Sequence, residues 1–410
     1  MSQQAAIDIT DPDCYADGIP HEEFRRMRLE EPIAQRMYQG RPYWAVTRYH
    51  DLTTVTRDAV TYSSARGMTN LWDLSPEAMQ ARRSIIDTDA PEHVRLRRLG
   101  MPAFTGRKVR GYEETTREIT ATLLDAALDQ GDIDIVPALA APLPIRVIVG
   151  ILGVPQQDTD FMVQLSDELV DGADLPADAY GNTTPLELLP FSSPAAHALF
   201  EYGRELGERR RTDPRDDLVT TLIRAEVDGD RLAPVEYANM FQVLVFAGNE
   251  TTRTAISNGL LAFMDHPDQL DLLYARPELI DQAVEEIIRF ACPVLHMRRT
   301  ATRDTRLGDT AITEGDKVVI WYASANFDEE AFDSPLQFDI TRPIRPMQVS
   351  FGAKGPHHCL GAPLARMEIR VLLEEMIRRR LLLSRTGEVV RTRSNFVNGI
   401  ASLPARVTSN

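Results

Sequence analysis

The stretch Ser350–Arg366 reads SFGAKGPHHCLGAPLAR. Glycines at 352, 355 and 361 surround Cys359, and a helical pattern runs from Pro363 to Arg380 directly after it. Glycines let a backbone turn sharply and approach a flat ligand closely. Backbone N–H groups at a helix start can donate to a thiolate, and the positive helix end favours its charge. Both effects lower a thiol pKa and ready the sulfur to bind metal as S⁻. A single thiolate on a loop before a helix suits one axial position on a haem iron. Two other readings compete. One is a buried cysteine in a glycine-rich turn, a common fate of free thiols. The other is a zinc site built from His357, His358 and Cys359, but three consecutive residues converge poorly on one tetrahedral ion and no paired CxxC accompanies them.

Working outward, most of the chain carries helical periodicity. Thr115–Leu128 places Ile119, Leu123 and Leu124 on one side. Pro234–His266 reads as one helix, started by Pro234 and ended at His266-Pro267. At 1.5 Å per residue it spans roughly 50 Å, enough to cross a domain. Within it, Gly248 and Asn249 weaken the helix and predict a kink. A further helix is predicted over Glu278–Phe290, ahead of Pro293. Strand signals are shorter. Tyr43–Arg48 is β-rich, and Thr300–Tyr322 alternates, with turns at Gly308-Asp309 and Gly315-Asp316. The fold class is therefore mainly α with a small β portion. The longest irregular stretch, from about Asp171 to Pro194, reads as a lid.

Composition bounds the function. The 410 residues are 43% hydrophobic and 26% charged, as in a water-soluble globular protein, with a formal charge of −16 that excludes a dominant basic field for nucleic acid. No apolar run of about 18 residues could span a bilayer. The first twenty residues carry four aspartates and no apolar targeting segment. Three cysteines, Cys14, Cys292 and Cys359, are few and far apart, which fits a reducing cytoplasm. We expect one domain over 1–410, cytoplasmic and monomeric.

The segment around Cys359 resembles the haem-binding loop of the cytochrome P-450 superfamily, Phe-x-x-Gly-x-His/Arg-x-Cys-x-Gly. Gly355, His357, Cys359 and Gly361 stand at matching positions. Phe351 lies one residue further from the cysteine than the pattern places it, and Gly352 holds the usual Phe position. Two further signatures follow the family's order. Ala247-Gly248-Asn249-Glu250-Thr251-Thr252 resembles its oxygen-binding motif, and Glu286 with Arg289 resembles its Glu-x-x-Arg pair, to which Arg342 is the third member.

The resemblance implies a P-450 fold, with the long helix over the haem and the cysteine loop beneath it. It implies a bacterial haem-thiolate monooxygenase, an oxidoreductase that hydroxylates with one atom of dioxygen. Cys359 is then the iron ligand on haem b. Thr251 and Glu250 are the catalytic pair, the hydroxyl contacting the activated oxygen and the carboxylate relaying protons. A small residue at 247 or 248 leaves room for dioxygen. Cofactor contacts come from Gly248, Phe351 and four propionate candidates, His93, Arg97, Arg299 and His357; His296 and Arg298 replace Arg299 if the register differs by one. The pocket is drawn from Met68, Leu71, Trp72, Met79, Leu188, Val243, Phe246, Ala247, Val294, Leu295, Phe396 and Val397, apolar enough for a sterol, terpenoid or lipid. No Gly-x-Gly-x-x-Gly follows a strand. A separate electron donor is thus expected, which the resemblance implies is an iron–sulfur ferredoxin with its NAD(P)H reductase, docked on a basic patch drawn from Arg95, Arg98, Arg107, Lys108, Arg366 and Arg370. Alternatives are a non-catalytic haem sensor of gas or redox state, a tailoring oxidase of polyketide or peptide biosynthesis, and a peroxide-driven member.

Overall fold

The computed structural model describes residues 7–81, 83–171, 178–186, 189 and 193–409. The long helix is Pro234–Asp265, with Pro234 in its first turn and the Glu236 carboxylate accepting from the Ala233 N–H at 2.8 Å. It is buried on nearly every side, which explains its mostly apolar circumference. The expected kink does not interrupt it. Gly248 packs toward Ile148 of helix Pro142–Leu152, and Asn249 donates sideways to Ser166 Oγ at 2.6 Å. Helices Glu113–Gln130, Ile280–Ala291 and Ala362–Arg379 fall where the sequence places them.

A five-stranded sheet lies beside the helices, in the order Ile33–Tyr38, Arg41–Val46, Lys317–Trp321, His296–Ala301, Tyr62–Ser63. The Gly308-Asp309 turn joins a local hairpin, Thr305–Leu307 with Thr310–Ile312. The Gly315-Asp316 turn instead leads out of that hairpin. Lys317–Trp321 pairs antiparallel with His296–Ala301 and parallel with Arg41–Val46, because those strands offer it a fully buried place.

Two apolar cores result, one among the helices and one behind the sheet, and Phe290 packs against both. Side chains such as Trp321, Phe24 and Phe263 are fully buried, each contributing roughly 1.5–3 kcal/mol. Among the described residues no helix is long and apolar enough to cross a membrane. Leu188 and part of the expected lid lie outside the described residues.

Candidate active site

One cavity takes in the cysteine loop, the middle of the long helix and the edge of the sheet. From the long helix come Val243, Ala247, Thr251 and Ala255, one residue per turn, with Thr252 beside them. Strand His296–Ala301 contributes Met297 and Arg299, two apart and so on one face. Phe351, Gly352, His357, His358, Cys359, Leu360 and Gly361 form the wall made by the loop.

The loop is a series of tight turns. Gly352 N–H donates to Val349 O at 2.8 Å, Gly355 N–H to Gly352 O at 3.0 Å, and His358 N–H to Gly355 O at 2.9 Å. Gly352 takes φ +88°, and a Cβ on Gly355 would stand 2.2 Å from the Thr56 carbonyl oxygen. The extra residue between Phe351 and the cysteine is absorbed in these turns. Cys359 N–H still donates to Phe351 O at 3.0 Å, and the Arg366 guanidinium lies 4.5 Å over the Phe351 ring.

A buried ionic network holds the loop's support. Arg289 donates to both Glu286 carboxylate oxygens at 2.8 Å, and Arg342 Nε reaches the same carboxylate at 3.0 Å. Arg289 also caps the carbonyls of Asn326 and Pro335. The Asn326 side chain in turn donates to Ser350 Oγ and accepts from Val349 N–H, at the start of the cysteine loop.

The Cys359 side chain opens onto the cavity while protein surrounds it. Burial pushes its thiol above the ordinary range. The Gly361 and Ala362 N–H groups, with Arg97 and Arg366, pull it back only in part. The helix-start donors expected from the sequence are in place and act to lower it, against the desolvation that raises it. Deprotonation falls to a bound metal, which ionises a coordinating thiol outright.

The charge in the described lining is lopsided. It includes Arg97, Arg299, His93, His357 and His358, and no carboxylate. Arg299 is buried, and among the described residues its guanidinium donates only to the Arg298 carbonyl, at 2.8 Å. The His93 and His357 rings lie 3.9 Å apart, tilted by 36°, and the buried His93 Nε2 has no hydrogen-bond partner among the described residues. Burial, then the neighbouring cations, pushes His93 down to about 4 and His357 lower still. Uncompensated cations and an orphaned donor at one end, with a sulfur on the wall, fit a flat dianionic metal macrocycle such as haem.

The comparisons agree. The family model for cytochrome P450 matches residues 13–406. The chain belongs to the cytochrome P450 family. It is 37% identical to the steroid C26-monooxygenase of Rhodococcus jostii (strain RHA1), over 96% of this chain and 83% of that one. It is 34% identical to the linalool 8-monooxygenase of Pseudomonas putida, over 97% of each. A Mycobacterium marinum cytochrome P450 solved in complex with pseudoionone superposes with TM-score 0.85 at 35% identity, covering 99% of both chains. This P450 is accordingly an oxidoreductase of the monooxygenase type.

Several sequence assignments need correction in place. Position 247 faces the P450 cavity, whereas Gly248 faces Ile148. The Glu250 carboxylate lies behind the helix, accepting from Thr254 Oγ1 at 3.3 Å and 3.8 Å from Arg253, and does not line the cavity. Thr251 lines it while donating to Ala247 O at 2.7 Å. Of the pocket candidates, Met68, Val243, Ala247 and Val294 line it. Leu71 and Leu295 belong to the core behind the sheet, Trp72 is exposed, and Phe396 packs on His296. Val397 pairs with Val294 through backbone, and Phe246 and Met79 are half-buried outside the lining. His296 and Arg298 sit on the strand's other face, and Arg299 is the one of the three that lines the cavity. Sequence reading missed Ile85, Ile86, Met297 and Tyr322; strand alternation from Arg299 gives Met297, but nothing local marks the others. The expected basic patch is largely neutralised. Arg95 pairs with Asp230 and Glu236, Arg98 with Asp228, Lys108 with Asp216, Arg366 with Glu285 and Arg370 with Asp281.

Proposed function

We propose that this P450 inserts one oxygen atom from dioxygen into an apolar natural product of the sterol, terpenoid or lipid class. The observation that carries this reading is that Cys359 and Thr251 line one cavity whose other side chains include Met68, Ile85, Ile86, Val243, Val294 and Met297. Apolar walls bind a substrate with few polar groups and exclude water from the reacting centre. Relatives named for steroid and linalool oxidation support the class.

Haem b would be held by Cys359 through its sulfur, with Arg97, Arg299, His93 and His357 facing the propionates. Bound there, it would supply dioxygen binding and reductive activation, and a thiolate ligand favours O–O cleavage. Thr251 Oγ1 spends its own proton on the Ala247 carbonyl at rest and keeps lone pairs toward the cavity. By turning away from that carbonyl it can donate to an oxygen atom beside the helix. Glu250, one position earlier and behind, can resupply protons through the polar side chains around it, Thr254 among them. Electrons are assigned to an iron–sulfur ferredoxin and its NAD(P)H reductase, since the sequence holds no nucleotide-binding fingerprint of its own.

The test is a titration of the haem-loaded protein with sterols, terpenes, branched fatty acids and macrocyclic polyketides, reading the haem spin-state shift. Products are then assayed for an atom of labelled dioxygen. A shift and labelled product from one of the first three classes are expected. Response to macrocycles alone would overturn the substrate class.

A further inference from the structure

Residues 67–74 carry Met68 into the cavity wall, yet they form neither helix nor strand. Their attachments are unusual. Asp73 lies 2.5 Å from Arg41, 2.9 Å from Arg298 and 3.0 Å from Lys317, cations from three adjacent strands of the sheet. The same cations take the loop's carbonyls: Arg298 donates to Trp72 O at 2.9 Å and Lys317 to Leu71 O at 3.3 Å. Met68 itself is pinned from both sides, its N–H to Asp87 at 2.9 Å and its carbonyl by Arg298 N–H at 2.7 Å.

The energetics run both ways. Arg298 and Lys317 side chains are only 3% and 11% exposed, and Asp73 is their only ion-pair partner among the described residues. Burial pushes both cations downward, and Asp73 offsets it. Asp73, itself partly exposed, is held below the ordinary carboxylate range by Lys317 and Arg298 against partial desolvation. A buried cation stripped of its partner is strongly unfavourable, so the loop and the sheet cations hold each other in place. In a chain of net charge −16, three cations on one carboxylate is a deliberate local concentration. The arrangement also accounts for Leu71 and Trp72 missing the cavity, since their carbonyls are turned to the sheet.

We propose that Asp73 is an electrostatic latch: its pairing with Arg41, Arg298 and Lys317 holds residues 67–74 closed against the sheet, fixes Met68 in the cavity wall and gates ligand entry. This rests on the cavity being the ligand site. Arg41 is well exposed, so its share weakens most with salt, whereas the pairs with the buried Arg298 and Lys317 are screened less.

The experiment uses the haem-loaded full chain, wild type and Asp73→Asn, with 4-phenylimidazole as probe. Association is followed by stopped flow at the Soret band, and backbone hydrogen exchange is measured in peptides covering 67–74. Exchange and association are both expected to rise at least about tenfold in Asp73→Asn, with Asp73→Glu restoring most of the difference. High salt should speed the wild type and leave Asp73→Asn unchanged. A folded Asp73→Asn with wild-type exchange and association overturns the latch. Should that variant not accumulate folded, Lys317→Met is read by the same two measurements, and wild-type behaviour there overturns it equally. A wild type that gives no Soret shift with 4-phenylimidazole sinks the cavity reading instead, and hydrogen exchange still decides the latch.

Discussion

At the residue scale, Thr251 and Arg299 carry the sharpest expectations. Thr251→Ala removes the hydroxyl on the cavity wall without touching the core, so substrate affinity should hold within about twofold while coupling falls. The measurement is peroxide released per NADH consumed; an unchanged ratio would remove Thr251 from proton delivery. Arg299 is buried with no carboxylate in an ion pair with it among the described residues, which is a large cost unless an anion arrives. Arg299→Leu should therefore raise the rate of haem transfer to apomyoglobin by about tenfold or more, as expected for loss of a charge-assisted bond. Equal transfer rates in variant and wild type would exclude a propionate contact. The family resemblance made Arg299 a candidate, as a cation following the Glu286–Arg289 helix. Choosing it over Arg298 needed the strand's register, because one residue's slip sends the side chain to the other face. Glu250 shows the same limit on a helix. The motif named it, but a neighbour of Thr251 is rotated about 100° away, so it stands behind the wall it serves.

At the scale of elements, the cysteine loop was legible because its requirements are local: glycines where backbone crosses backbone, and a helix start just after. Gly355→Ala would drive a methyl into the Thr56 carbonyl, and the loop must shift to admit it. That variant is expected to purify with little haem and a lowered melting temperature; full haem content would show that the loop yields cheaply. The Glu286–Arg289–Arg342 network is a second local reading that became a tertiary one. Glu286→Gln leaves two guanidinium groups without their shared charge, and a loss of roughly 3–5 kcal/mol in urea unfolding is expected. A loss under 1 kcal/mol, within the range of a surface pair, would contradict a buried role. The loop 67–74 was illegible for the opposite reason. Its apolar residues predict burial, but what directs them is ion pairing with strands far along the chain, which leaves no local pattern.

At the scale of the molecule, the helical core and the sheet core enclose buried histidines that must stay neutral. His296 sits between Trp321 and Phe396 with neither nitrogen partnered among the described residues, and burial pushes it down to about 3. The unfolded chain takes up a proton near pH 6.5 while the folded chain refuses it until about 3. Stability is thus fully present above pH 6.5 and is lost as pH falls toward 3, by about 1.4 kcal/mol per unit from this one group. Urea midpoints at pH 7, 6 and 5 should fall more steeply in the wild type than in His296→Phe; parallel slopes would place the acid sensitivity elsewhere. The whole assembly proposed for this P450 is a sulfur anion from Cys359 holding iron in a cavity that the long helix walls. It is tested most directly by the carbon monoxide spectrum of the reduced protein, wild type against Cys359→Ser, both loaded with haem. The wild type should show the strongly red-shifted Soret band of thiolate ligation, and the serine variant should lack it. A variant that keeps that band, or a wild type with the spectrum of nitrogen-bound iron, would contradict the account.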